Sequence, residues 1–211
     1  TLKSLDLSDN QISNEGTKAI ADALKNNRTL TSLYLIDNQI SAEGAKAIAD
    51  ALKDNTALKS LNLCDNQISA EGAKAIADAL KNNATLTSLY LSDNHISDEG
   101  AKVIAAALEN NTTLTCLNLQ HNLISDEVTS EIAVAQKKNT TLTSLHLKLG
   151  ENHISAESTK AVAAAKHNSL IKEERETVTK KYFSTFYAFQ KFEGLSAVSE
   201  DIINKIAEFT F

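Results

Sequence analysis

The sequence has no proline, methionine or tryptophan, and only two cysteines and six glycines among its 211 residues. No apolar run approaches the roughly 18 residues of a membrane-spanning helix, so we expect no membrane span. The first four residues lack the basic and apolar regions of a signal peptide. Because the chain has no initiator methionine, the sequence predicts a processed or truncated protein.

Charge and motifs exclude further classes. A net charge of -6 and a pI near 5.4 argue against nucleic acid as the main partner. There is no Gly-rich phosphate loop, nucleophile elbow or Cys-x-x-Cys pair, and the five histidines lack metal-ligand spacing. The sequence therefore predicts a non-enzymatic protein without metal or cofactor.

A repeat organises most of the chain. Leu5 and Leu7 recur in register every 28 residues, and Asn10 recurs with them until a final step of 30 residues. Leu5 and Leu7 alternate with polar residues, which predicts a short strand with one buried face, and an Ala-rich helix follows each strand. One strand and one helix cannot bury their own apolar faces, but six stacked copies can.

Local signals refine each repeat. Ser13 is placed to cap the helix, and Ile20, Ala23 and Leu24 are expected to form its buried stripe. Lys18 and Asp22 are predicted to form an i,i+4 pair, which recurs in later repeats.

Two asparagine positions recur as well. Asn10 is expected to satisfy backbone groups of its own and the neighbouring turn. Asn27 is expected to end the helix in the left-handed conformation. Asn27 and its equivalents at 83, 111 and 139 match the glycosylation sequon. Without a secretion signal, we interpret these four sites as helix-ending turns.

These units resemble leucine-rich repeats of the ribonuclease-inhibitor type, through blocks such as LDLSDNQIS and LNLCDNQIS. The resemblance covers residues 1–169 and implies an α/β fold: a curved right-handed solenoid with a parallel concave sheet and convex helices. The near-identity of successive units, with EGAKAIADAL at 43–52 and 71–80, is most similar to repeat proteins of intracellular bacteria. The repeat decays at its end, where Gln136 replaces the leucine of earlier units.

The concave face comprises the fourth, sixth and eighth residues of each repeat. The fourth position is nearly always serine, whereas the other two vary, as on a scaffold with a programmable binding surface. We predict that the sixth and eighth positions bind a partner: Asp6, Tyr34, Asn62, Tyr90, Asn118 and His146 at the sixth, and Ile36, Cys64, Ser92, Gln120 and Lys148 at the eighth.

Tyr34 with Ile36, and Tyr90 two repeats later, are the candidate anchors, because tyrosine offers large contact area at low entropic cost. The alternative is that both tyrosines only cover their neighbours on the sheet. Cys64 and Cys116 also lie two strands apart, roughly 10 Å by strand spacing. That separation is too large for a disulfide, so we expect free thiols.

The ninth position forms an acidic row, in which Asp9, Asp37, Asp65 and Asp93 precede His121. One interpretation is attraction of a basic partner. The other, which we favour, is that aspartate serves here as a turn residue.

Residues 170–211 differ in composition, with eight of the ten aromatic residues of the chain after residue 181. Apolar spacing predicts helices that form a C-terminal cap over the open end of the solenoid. Residues 198–209 are also similar to the opening of an F-box, which recruits a ubiquitin-ligase adaptor, although Ser199 replaces the usual proline.

The leading functional prediction is a protein-interaction scaffold that binds a partner on its concave face. If the bacterial resemblance holds, the partner is a host protein, and the chain acts in the cytoplasm or enters a host cell without a classical signal peptide. An adaptor using the F-box-like segment is the alternative, and an enzyme with a concave active site is the third. The open first repeat, with Leu2 at its edge, offers a site for self-association.

Overall fold

The computed structural model describes residues 2–147 and 152–165. Short strands alternate with helices, and residues 156–165 are helical after the last strand. The elements are β1 Ser4–Asp6, α1 Ser13–Asn26, β2 Ser32–Tyr34, α2 Ala42–Asp54, β3 Ser60–Asn62, α3 Ser69–Leu80, β4 Ser88–Tyr90, α4 Ser97–Leu108, β5 Cys116–Asn118, α5 Asp126–Lys138 and β6 Ser144–His146. The cap predicted at 170–211 lies outside the described residues.

The six strands form one parallel sheet in the order of the sequence. Ser4 pairs with Ser32 and Leu5 with Leu33, and the same 28-residue register holds through β6. The predicted α/β solenoid is therefore confirmed for the described repeats.

The core lies between the sheet and the helices. The strand leucines of the second to fifth repeats have no solvent exposure, and the isoleucine of each helix is equally buried in α2 to α5. In α1 the buried stripe consists of Thr17, Ala21 and Leu24. The prediction for Ala23 was wrong, because Ala23 is exposed and Ala21 points to the core.

The first asparagine position connects successive repeats as predicted. Asn66 Nδ2 donates to the carbonyl of Leu35 in the preceding repeat at 2.9 Å. Its Oδ1 accepts the backbone N–H groups of Asn38 and Ile40, at 3.1 and 2.9 Å. Bonds to the preceding repeat from both ends of the amide recur at Asn38, Asn94, Asn122 and Asn152.

The second asparagine position forms another ladder at the helix ends. Asn55 is extended (φ −78°, ψ 127°) rather than left-handed, so the predicted conformation was wrong here and at Asn27. Its Nδ2 donates to the carbonyl of Leu24 at 2.7 Å, while Oδ1 accepts the N–H of Leu58 at 2.8 Å. The same pattern recurs at Asn83, Asn111 and Asn139. Because the sequon amides Asn83, Asn111 and Asn139 are buried, they have no room for a glycan, whereas Asn27 is half-buried.

Helix starts follow two patterns. Ser41 Oγ accepts the N–H of Glu43, and Ser125 Oγ accepts that of Val128, as predicted for N-cap serines. Ser13 and its equivalents in α3 and α4 instead have φ of 57° to 58° and make no capping bond through the side chain.

The ion pairs on the helix surface differ from the predicted i,i+4 pairs. Lys18 pairs with Glu43 of the next helix, and Lys74 contacts Glu99 of the next helix at 2.6 Å. Aspartates such as Asp22 pair instead with a lysine three residues later. The lysines therefore link neighbouring repeats, which a single-helix pattern cannot reveal.

Candidate functional site

The concave face presents its sixth position to solvent to different extents. Asp6 and His146 are exposed. The four residues between them are half-buried: Tyr34, Asn62, Tyr90 and Asn118. The parallel register places these residues in one column across the sheet. The structure therefore brings together all six predicted members, Asp6, Tyr34, Asn62, Tyr90, Asn118 and His146.

The eighth position is less uniform. Ile36, Ser92 and Gln120 are half-buried beside the sixth column, whereas Cys64 is buried, with 8% exposure. Burial raises the pKa of the Cys64 thiol, so the neutral thiol predominates at neutral pH. Cys64 thus has little surface for a partner. Lys148 lies outside the described residues.

Polar residues at the sixth position bond to their own backbone. Asn62 Oδ1 accepts the N–H of Cys64 two residues later, at 3.0 Å. Asn118 accepts the N–H of Gln120 in the same way, also at 3.0 Å. Each of these side chains closes an Asx turn that satisfies the eighth residue of its repeat.

Asp6 closes the same kind of turn at the first repeat. It accepts both the N–H and the hydroxyl of Ser8, at 3.0 and 2.7 Å. The bonds from the Ser8 hydroxyl and N–H lower the pKa of Asp6. Asp6 is therefore charged at neutral pH and fixed in orientation.

Tyrosine cannot close such a turn, and this distinguishes two repeats. Among the hydrogen bonds of the described residues, none uses the backbone N–H of Ile36, two residues after Tyr34. The N–H of Ser92, two residues after Tyr90, instead bonds to the thiol of Cys64 in the preceding repeat and lowers its pKa. The free donor beside Tyr34 was not predicted, although the alternation of Asx and tyrosine at the sixth position is visible in the sequence.

The environment of Tyr90 bears on its two interpretations. Partial burial raises the pKa of the Tyr90 hydroxyl, and Cys116 raises it further, while a hydrogen bond with Ser88 lowers it. Tyr90 therefore packs partly against neighbours of the fourth column and keeps only part of its surface for a partner. At the last strand, His146 Nε2 lies 2.8 Å from the Ser144 hydroxyl.

The acidic row has the backbone geometry of a turn. Its members Asp9, Asp37, Asp65 and Asp93 have φ between 48° and 56°, and His121 has φ of 55°. Aspartate is one of the few residues that tolerate this left-handed region. This geometry supports the turn interpretation over the basic-partner interpretation.

The row still concentrates negative charge. Burial raises the pKa of Asp65, and Asp93 and Asp37 raise it further, while His121 lowers it. His121 Nδ1 lies 3.4 Å from an Asp93 oxygen. The row is therefore a strip of mutually repelling carboxylates that ends at a histidine.

Metal-binding and membrane-spanning features are absent from the part of the chain that the structure describes. Within residues 2–147 and 152–165, no group of three His, Cys, Asp or Glu residues could hold a metal ion. No helix in these ranges is long and apolar enough to cross a membrane. Cys64 and Cys116 are free thiols, as predicted.

The fold and its concave face define an α/β repeat protein. The model of the leucine-rich repeat family matches five segments that together make up more than half of the chain: 1–21, 26–49, 54–77, 82–105 and 110–127. The chain belongs to the leucine-rich repeat family. The ribonuclease-inhibitor type and the likeness to bacterial proteins stay predictions.

Two solved structures are similar to the chain. One is leiomodin-1 actin-binding site 2, with a TM-score of 0.66 and 28% identity over 78% of this chain and 95% of that one. The other is the tropomodulin C-terminal domain of Caenorhabditis elegans, with a TM-score of 0.50 and 14% identity over 84% and 89%. The second shows similarity of fold alone. A search of curated proteins finds no matching sequence.

Proposed function

We propose that this protein is a non-enzymatic scaffold whose concave face binds an extended segment of a protein partner. Leucine-rich repeats commonly use the surface of their solenoid in this way. The observation that carries the proposal is the column of half-buried side chains on this face, in which Tyr34 and Tyr90 lie two strands apart. Beside Tyr34, the backbone N–H of Ile36 is a free donor among the described residues.

The spacing of the two tyrosines suits a peptide. Adjacent parallel strands lie about 4.8 Å apart, so the second and fourth repeats present their rings roughly 10 Å apart. An extended chain rises about 3.3 Å per residue, so about three of its residues span that distance, and one of its carbonyls can accept from the N–H of Ile36. In the third repeat, Asn62 already satisfies the N–H of Cys64, so that repeat adds contact surface without competing for a carbonyl.

Capture from a eukaryotic cell lysate tests the proposal. The unmodified chain is compared with Tyr34→Ala/Tyr90→Ala, which removes both rings, and with Val134→Ala. Val134 is 54% exposed on α5, away from the sheet, so this variant is a control for the loss of apolar surface elsewhere on the protein. We expect a protein retained by the parent and by Val134→Ala and lost with the double variant. Equal retention by all three would contradict binding through the tyrosines.

A second double variant separates the ring from the hydroxyl group. Tyr34→Phe/Tyr90→Phe keeps both aromatic faces and the free N–H of Ile36. If the rings anchor the partner, this variant retains it nearly as well as the parent. Loss of the partner on removal of the hydroxyls alone would show that recognition is polar.

Actin is the first specific partner to test, because leiomodin-1 actin-binding site 2 is 28% identical over most of this chain. Co-sedimentation with actin filaments and fluorescence anisotropy with actin monomers cover both forms. Binding that the Tyr34→Ala/Tyr90→Ala variant weakens would identify the partner and the surface together. No binding to either form would exclude actin and leave the partner to the lysate experiment.

We also propose the ribonuclease-inhibitor type, a bacterial effector role and self-association. The 28-residue period and the α-helix in each described connection support the ribonuclease-inhibitor type. A bacterial effector role, with a host protein as partner, rests on the near-identity of the repeats. Self-association would use the first repeat, where Leu2 is 59% exposed, and a concentration series in analytical ultracentrifugation tests it.

The adaptor hypothesis depends on residues 198–209, which lie outside the described residues. It requires that Ile202→Asp/Ile206→Asp abolish capture of a ubiquitin-ligase adaptor without affecting the partner of the concave face. Capture of no such adaptor by the parent chain would contradict it.

A further inference from the structure

A cavity of about 210 Å³ lies between the fifth and sixth repeats. Its apolar wall includes Leu145, Leu147, Ile154 and Val162, and its polar lining includes Gln136. No charged side chain is among the described residues that line it. The cavity is on the core side of the sheet and is separate from the concave face.

Two sequence changes distinguish the residues that line the space. Val162 stands where the preceding repeats have isoleucine, as at Ile132, and is one methylene group smaller. Gln136 stands where the earlier helices have leucine, as at Leu108. The leucines of the last strand are half-buried, as are those of the first strand, whereas their equivalents in the second to fifth repeats have no exposure.

Gln136 gives the cavity its chemistry. Gln136 is almost completely buried, with 1% exposure. Its Oε1 has no hydrogen-bond partner among the described residues. The hydroxyl groups of Thr129 and Thr159, which also line the cavity, already donate to backbone carbonyls of their own helices, at 2.8 and 3.1 Å. Gln136 Oε1 is therefore a buried acceptor that lacks a donor, which is costly in an apolar environment.

We propose that this cavity is a binding site for a small neutral aromatic molecule that carries one hydrogen-bond donor, such as a phenol or an indole. An apolar cavity of about 150 Å³ is large enough to stay dry and bind benzene. The space here suits a ring with one additional polar group. The ring packs against Leu145 and Val162, and its O–H or N–H donates to Gln136 Oε1.

The test is a titration of the full chain with phenol and with toluene, two rings of similar size of which only phenol donates. Methyl NMR signals of Leu145 and Val162 report occupancy and give a Kd for each ring. In Gln136→Leu, which restores the residue of earlier repeats, the preference for phenol over toluene should fall about tenfold, the worth of one buried hydrogen bond.

Val162→Ile provides an independent variant. It restores the larger residue of the earlier repeats and should weaken both rings, because it fills part of the cavity. An unchanged preference in Gln136→Leu would overturn the assigned acceptor. Unchanged binding in Val162→Ile, or no shift of either methyl signal by phenol in the parent, would overturn the site and leave a water-filled cavity.

Discussion

The central repeats and the sixth repeat carry the same pattern but pack differently. Leu61 of the third repeat has no solvent exposure, whereas its equivalent Leu145 is half-buried. Leu108 of the fourth helix is buried among apolar side chains, while Gln136 in the fifth helix leaves an acceptor unpaired beside the sixth repeat. The sixth repeat therefore keeps the strand register of the central repeats but has a cavity, lined by Gln136 and Leu145, where they are closely packed.

This contrast separates what the repeat tolerates from what it requires. The strand leucines and the asparagines persist from the central repeats into the sixth, and so does the backbone arrangement. The core positions of the helices vary more, as at Gln136 and Val162, and packing around these two residues is less close. The asparagine ladder fixes the backbone, and the apolar side chains then determine how tightly each repeat closes.

The largest expected effect is at the buried asparagine ladder. Asn66→Ala removes two bonds to N–H groups and three to carbonyls, all buried or nearly so. Because the abandoned groups stay buried without partners, we expect a loss of about 3–5 kcal/mol in the free energy of unfolding, measured by urea denaturation. Asn10→Ala is the control, since exposed Asn10 makes only two local bonds. Equal losses in the two variants would contradict the role of the ladder.

Close helix packing is the next most sensitive feature. Alanine at Gly72 would place its methyl group 2.9 Å from Cβ of Ala45 and 3.1 Å from Cα of Ala42, both on the neighbouring helix. We expect Gly72→Ala to lose about 1–3 kcal/mol through overpacking, less the helix preference of alanine. Gly16→Ala meets only Ile12, a contact of the kind that Gly72 also makes within its own repeat. A melting temperature lowered equally by both would show that the neighbouring helix does not matter.

The sixth repeat should respond in the opposite direction. Gln136→Leu replaces an unpartnered buried amide by the leucine of the central repeats, so we expect a gain of about 1–2 kcal/mol. Urea denaturation without added ligand measures it, and Leu108→Gln in a central repeat is the inverse control. Destabilisation by Gln136→Leu would mean that the amide has a partner and would remove the contrast between the two regions.

The smallest expected effect is at the acidic row. Because the pKa of Asp65 is raised in the folded state, folding binds protons there. This contribution to stability falls as the pH rises through the unfolded and folded pKa values, from about pH 4 upward. Asp65→Asn should therefore stabilise the protein slightly at pH 7, more at low salt, and not below pH 4. Thermal melts at both pH values check this, and a gain only below pH 4 would reverse the assigned sign.

Much of the fold follows from the sequence, because Leu5, Leu7 and Asn10 each repeat with a fixed structural role. The helix-end ladder was harder to foresee. The sequence around Asn27 is typical of a turn. Only the stacking of the repeats shows that its equivalent Asn55 bonds to the preceding repeat. The burial of Cys64 depended on contacts between repeats in the same way.

The candidate site could be predicted as a surface but not in its detail. The sequence places Tyr34 and Tyr90 in one column. It does not show that the N–H of Ile36 is left without a partner while that of Ser92 meets the thiol of Cys64, because both depend on contacts between repeats. The cavity beside Gln136 likewise depends on the fit of side chains from three elements.

Hydroxyl-radical footprinting of the protein with and without its captured partner distinguishes binding through the concave face from binding through the helices. Tyrosine side chains react readily, so Tyr34 and Tyr90 report on the concave face and Val134 on the helix surface. We expect the partner to protect both tyrosines and to leave Val134 unchanged. Protection of Val134 with both tyrosines still reactive would place the binding surface on the helices and rule out binding through the concave face.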